Sequence, residues 1–505
     1  MLRIAKTEYG MVQGTPGADA RNTIFKGIPF AASAIGERMW KPPVAPEPWD
    51  GIRVCNEFAP ITMQKTPGEN PDAFYSKEWH VDPEVAMSED GSLALNIYTP
   101  AKSADEKLPV MIWIFGGGMR EGYSYEMEFD GESFCRRGVI LVSIAYRLNV
   151  FGFLCHPDLT KENPDAPTNF GLLDQRFAIE WVKRNIANFG GDPEKITIFG
   201  QSAGGGSTYY HITNPANQGL FQRAIAESAG GLEISKPHTW LPMATEFDVA
   251  EERGRHFIED ILGCKSIDEA RKLDPKYIEE KFLESGLTMA AVHDGKYILK
   301  QSDRSIIDDD IIDIDFMYGN TNGEFMTKPG EDMEAWVKDN FGDDADEYME
   351  ICKRQAGSDD PEALRKALAV CGFDLAAKQA GRMYAKNGRK AYYYVFGPTI
   401  PGDDAGAFHS CDLWFEFESL QKCWRPFDGH HYDLARKMCN CWANFAKTGD
   451  PNGLDADGTP MPEWRPLTKE DQCVMYFEDE MHSESGPFDE KSEFLIKKNL
   501  EKYGE

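Results

Sequence analysis

Residues 196–206 read Ile-Thr-Ile-Phe-Gly-Gln-Ser-Ala-Gly-Gly-Gly. A β-branched apolar run stops at Gly200, Ser202 stands two residues on, and the small residues behind it can open a helix. Gly200 and Gly204 allow a sharp turn where a Cβ would clash. Such a turn lifts the Ser202 hydroxyl above the strand ends, and the helix start aims free N–H groups at the same point. This is G-x-S-x-G in its strand–turn–helix setting, and the chemistry it suits is acyl transfer. The same pattern also describes a plain turn with a capping serine, so the reading depends on partners.

Acyl transfer through a serine needs a base for its proton, an acid to orient that base, and donors for the oxyanion. The donors are visible in Gly116-Gly117-Gly118-Met119, which follows the apolar run 110–115. Consecutive glycines past a buried strand can present backbone N–H groups, and the N–H of Ala203 is a natural addition. The base must be a histidine, whose proton affinity suits a shuttle near neutrality. In sheets of the α/β-hydrolase type the order along the chain is serine, acid, histidine. That order sets aside His80, His156 and His211. It favours His409, in the loop after the apolar run 391–396, with the neighbours His430 and His431 as fallback and His482 beyond the last strand. For the acid, Glu324 lies a few residues past the run 316–318. The acidic run 308–310 precedes that strand and reads as a solvated turn.

These side chains need a frame. The runs 94–98, 109–115, 139–145, 196–199, 224–226, 316–318, 391–396 and 474–477 are short and apolar, the texture of buried strands. Helical patterns lie between them. The clearest is 174–186, with Phe177, Ala178, Trp181, Val182 and Ile186 at helical spacing. This alternation predicts an α/β fold: a mostly parallel central sheet with helices on both faces. Residues 243–285 and 332–385 read as helical insertions over the sheet's C-terminal edge, and 492–505 as a solvated helix. The whole of 1–505 is expected to be a single catalytic domain.

Bulk properties narrow the function. Of 505 residues, 84 are acidic and 54 basic, a net charge of −30. That disfavours nucleic acid, anionic membranes and highly anionic substrates unless a local basic patch reverses the field. No stretch reaches the 18 apolar residues of a membrane span, and the first residues lack the apolar core of a signal peptide. The 11 cysteines are scattered without a Cys-x-x-Cys pair, which favours free thiols and a cytoplasmic protein over a disulfide frame or a zinc site.

Several segments together resemble the type-B carboxylesterases, the α/β-hydrolase family that includes the cholinesterases, and the chain looks like a bacterial member. They are Phe199 to Gly205, Asn169-Phe-Gly-Leu-Leu-Asp174, Trp181 to Ile186, Phe189-Gly-Gly-Asp-Pro193, Tyr146-Arg-Leu-Asn149, Gly406-Ala-Phe-His409, Gly319 to Glu324, and Asn444 to Pro451. The resemblance implies Ser202 as nucleophile, His409 as general base and then acid, and Glu324 as its orienter. It implies oxyanion donors at Gly117, Gly118 and Ala203, a supporting hydroxyl at Ser228, and a structural ion pair between Arg147 and Asp174. The chain departs from the family at Phe115, at Met119, and at Gly91-Ser92, where secreted relatives carry a cysteine.

The expectation is a serine esterase acting on a small-molecule ester, with no metal or other cofactor. Feruloyl or acetyl-polysaccharide esters, or drug and toxin esters, are alternative substrates for the same mechanism. A non-catalytic interaction module on the same fold is the reading from another class. Nothing in the sequence separates a monomer from a homo-oligomer.

Overall fold

A computed structural model describes residues 1–79, 83–230 and 244–505. His80 and residue 243, where the first helical insertion was expected to start, lie outside them.

The centre is an 11-stranded sheet. Its strands are β1 (Thr15–Pro16), β2 (Thr23–Pro29), β3 (Ala94–Thr99), β4 (Leu108–Ile114), β5 (Ile140–Ile144), β6 (Gly191–Gln201), β7 (Arg223–Glu227), β8 (Asp315–Thr321), β9 (Ala391–Phe396), β10 (Cys473–Phe477) and β11 (Met481–Ser485). Across the sheet they run β11-β10-β9-β8-β7-β6-β4-β5-β3-β2-β1. From β10 to β5 every neighbouring pair is parallel, and antiparallel strands close both edges. The parallel strands are buried on both faces, which is why β4 reads as an unbroken apolar run.

Helices α1 (Phe170–Asn185), α2 (Ala203–Ile212), α3 (Gly372–Lys386) and α4 (Gly429–Thr448) pack against the sheet, and α5 (Glu490–Lys502) lies against α3. Helix α2 packs on β6 and β7, and α3 on β8 and β9. The region expected as the first insertion holds helices at Phe247–Arg255, Ile267–Ala270 and Pro275–Ser285. The second holds Met333–Phe341, Ala345–Ala356, Pro361–Leu368 and α3.

The structure corrects three details. Helix α1 starts four residues earlier than its apolar spacing suggests. Gly171 lets that first turn reach the chain beneath: a Cβ there would stand 2.4 Å from the Arg147 carbonyl. His482 lies within an edge strand, β11, opposite Tyr476, whose exposed charges hid its pattern. The C-terminal helix is not merely solvated. Phe494, Leu495 and Ile496 of α5 are buried, and the helix packs on α3 and on Ala345–Ala356.

Candidate active site

Strand β6 ends at Gln201 and α2 begins at Ala203, so Ser202 alone makes the corner. Its φ is +56° and its ψ −120°, a strained conformation for a residue with a side chain. The corner is tight because its neighbours lack side chains. A Cβ on Gly204 would lie 1.9 Å from the Ile114 carbonyl oxygen, and one on Gly200 2.5 Å from the same atom. The Ser202 N–H donates to the Glu227 carbonyl at 2.9 Å, which ties the corner to β7.

The loop after β4 turns at three consecutive positive φ values, Gly117 (+92°), Gly118 (+67°) and Met119 (+58°). The Gly117 carbonyl turns inward and accepts from the N–H groups of Arg120 and Glu121. Among the described residues, none accepts from the N–H groups of Gly117, Gly118 or Ala203. These donors border a cavity of about 1210 Å³ that Ser202 and His409 also line.

His409 arrives on the loop after β9, and Glu324 just past β8. The two strands are hydrogen-bonded neighbours, so their loops meet. His409 Nδ1 and Glu324 Oε2 are bonded directly. The Thr321 N–H donates to Glu324 Oε1 at 3.0 Å. Burial pushes the Glu324 carboxyl up, but His409, the Ser228 hydroxyl and the Thr321 N–H outweigh it and hold the group below its ordinary value. Ser228 Oγ acts by proximity: it is buried and makes no hydrogen bond of ordinary geometry. With Nδ1–H given to Glu324, Nε2 is left as the acceptor.

His409 Nε2 faces the Gln201 side-chain amide at 3.4 Å. No hydrogen bond joins it to Ser202 Oγ, although the two residues share the cavity. Phe325 and Phe373 lie against the imidazole, with ring centroids 4.7 and 5.1 Å away.

The model of the carboxylesterase family matches residues 2–495. The chain belongs to the carboxylesterase family. It is 28% identical to the para-nitrobenzyl esterase of Bacillus subtilis over 98% of both chains. It is 30% identical to a human cocaine esterase, over 93% of this chain and 87% of that one. It is 29% identical to the fumonisin B1 esterase of Sphingopyxis macrogoltabida, over 89% and 82%. Among solved structures, a para-nitrobenzyl esterase superposes with a TM-score of 0.79 at 25% identity, covering 98% of this chain and 99% of that one. A Geobacillus stearothermophilus carboxylesterase gives 0.77 at 28% identity, covering 98% and 100%. The fold is therefore the α/β-hydrolase fold, and the protein is a carboxylic ester hydrolase.

The two fallback histidines of this carboxylesterase serve elsewhere. His431 caps α4: its Nδ1 accepts from the Asp428 N–H at 3.2 Å and its Nε2 faces the Thr399 carbonyl at 2.9 Å. His430 pairs with Asp428 on the surface. Arg147 and Asp174 form a buried bidentate pair, with two contacts of 2.7 Å. No helix among the described residues is long and apolar enough to cross a membrane.

Sequence reasoning missed several residues that shape the site. Gln201 was in view only as the x of G-x-S-x-G. Glu126 and Glu128 line the cavity from the loop after the glycines, and both Glu128 oxygens are buried without a hydrogen-bond partner. Burial pushes Glu126 up to about 7, against the pull of the Tyr123 N–H, and Glu128 well above its ordinary value. Their spacing around Met127 is a strand-like alternation that nothing local marks as functional.

Proposed function

We propose that this carboxylesterase works through an acyl-enzyme, with Ser202, His409 and Glu324 as its triad. The observation that carries this reading is that Ser202, strained at the strand–helix corner, lines the same cavity as a histidine bonded through Nδ1 to a buried carboxylate. The mechanism requires the Ser202 hydroxyl to reach His409 Nε2 in place of the Gln201 amide that faces it. Such contacts are often loose in an empty site and tighten around the substrate.

Ser202 Oγ then attacks the carbonyl carbon while His409 Nε2 takes its proton. The oxygen gains negative charge beside the N–H groups of Gly117, Gly118 and Ala203, each worth about 3 kcal/mol at such a site. The C–O bond to the alcohol breaks, and His409 returns the proton to the leaving oxygen. Water then repeats the sequence and releases the acid. Glu324, held ionised, fixes the tautomer and stabilises the imidazolium, and Ser228 supports that carboxylate. The catalytic unit is the whole chain, one domain built on a sheet that runs from residue 15 to residue 485.

Phe74, Tyr75, Trp79, Tyr123, Phe325 and Phe373 line the cavity. They favour esters with an aromatic group, as in a feruloyl ester or an aromatic drug. All 11 cysteines are free and most are buried, which supports residence in a reducing compartment such as the cytoplasm.

The test is hydrolysis of p-nitrophenyl butyrate by the native chain and by Ser202→Ala. The variant should lower kcat by at least ~10³-fold; equal turnover by the two proteins rejects the mechanism.

A further inference from the structure

Arg120 follows the oxyanion loop by one residue, and its guanidinium folds back over it. Its Nε and Nη2 lie 3.1 and 3.3 Å from where a Cβ of Gly118 would be. The backbone beneath is fixed. The Arg120 N–H donates to Gly117, and the Arg120 carbonyl accepts from Asn149 Nδ2 at 2.7 Å. Among the described residues, none pairs with the guanidinium or accepts a hydrogen bond from it. Arg120 is exposed at the rim of the cavity, so a chain of net charge −30 sets a solvent-accessible, unpaired guanidinium beside its oxyanion loop.

The other charges around the cavity leave it alone in that role. Lys65 is paired with Glu69 at 3.5 Å. Arg253 donates to the Thr288 carbonyl at 2.8 Å. Glu126 and Glu128 face the same space, but burial keeps the pair from carrying its full charge at neutral pH. Glu121 is exposed beside the loop and is the remaining anion there.

We propose that Arg120 is an anion-recognition residue, and that this esterase is built for esters that carry a free carboxylate near the scissile bond. A carboxylate of that kind would receive a forked pair of N–H bonds from the guanidinium. The substrate class is then a half-ester of a dicarboxylic acid, or an ester of a carboxylate-bearing alcohol. This rests on the esterase reading above and names the substrate class for the same site. It also reverses, locally, the exclusion that net charge alone suggested.

Two matched ester pairs test it. On the acyl side, 4-nitrophenyl hydrogen glutarate is compared with 4-nitrophenyl valerate. On the alcohol side, 3-acetoxybenzoate is compared with phenyl acetate. The ratio of kcat/KM for the anionic ester to that for the neutral one is measured in the native chain, Arg120→Gln and Arg120→Lys. In one pair, Arg120→Gln should lower this ratio at least about tenfold, mainly through KM, the scale of a charge-assisted hydrogen bond. Arg120→Lys should recover part of it. The pair that responds identifies the side carrying the carboxylate. A ratio that stays within about twofold in both pairs overturns the inference. Failure of the native chain to hydrolyse any of the four esters would instead overturn the esterase reading, and this inference with it.

Discussion

The Glu324 carboxylate has two oxygens and two different duties: Oε2 holds His409, and Oε1 is held by the Thr321 N–H. Glu324→Gln keeps the shape but can present an NH₂ to the imidazole, which then favours the wrong tautomer. We expect kcat for p-nitrophenyl butyrate to fall by roughly 10³–10⁴ with KM little changed. Steady-state kinetics check this, and a loss below about tenfold would remove Glu324 from the triad. Ser202 and Glu324 were visible in the sequence because each follows an apolar run within a few residues, and His409 because the order serine, acid, histidine favours the loop after the run 391–396. Arg120, Gln201 and the Glu126–Glu128 pair were not. Their importance comes from the space they face, and no local pattern records that.

At the scale of elements, α2 offers a paired test of the corner. A Cβ at Gly204 would collide with the Ile114 carbonyl at 1.9 Å, whereas one at Gly206 meets nothing within 4 Å. Gly204→Ala must therefore open the β4–α2 contact and lower the thermal midpoint. Gly206→Ala should leave it level or raise it, since alanine in a helix is favoured by about 0.5–1 kcal/mol. Equal midpoints for the two would contradict the packing. The strands of the parallel core were legible because burial on both faces makes them uniformly apolar. Where an element is half-buried, the sequence misleads. Charges dominate α5, yet Leu495 is fully buried. Leu495→Ala should destabilise the chain by about 2–5 kcal/mol in urea titrations, whereas a freely solvated helix would lose almost nothing.

For the whole molecule, the notable quantity is the number of carboxyl groups kept inside a strongly acidic protein. Burial raises Glu89 and Glu227 to about 8, and Asp412, Glu126 and Glu279 to about 7. Glu128 and Glu416 are pushed well above their ordinary value by burial and by their acidic neighbours Glu126 and Glu227. Each of these groups keeps its proton in the folded chain at a pH where the unfolded chain has released it. Folding then binds protons, so stability falls as pH rises through the raised values. Buried His211, pushed down to about 3, works the other way, but only below its ordinary value near 6.5. Cysteine thiols, also pushed up by burial, add a drop of the same sign only nearer the ordinary thiol value of about 8.5. The window from pH 6.5 to 7.5 therefore isolates the carboxyls. There the urea midpoint should drop steadily, by an amount worth at least about 2 kcal/mol, since each such group contributes up to about 1.4 kcal/mol per pH unit. Glu416→Gln removes one member of the Glu227–Glu416 pair and should flatten the slope, which separates proton uptake from general charge repulsion. A midpoint that stays level or rises across this window would mean that these carboxyls are already ionised in the folded protein.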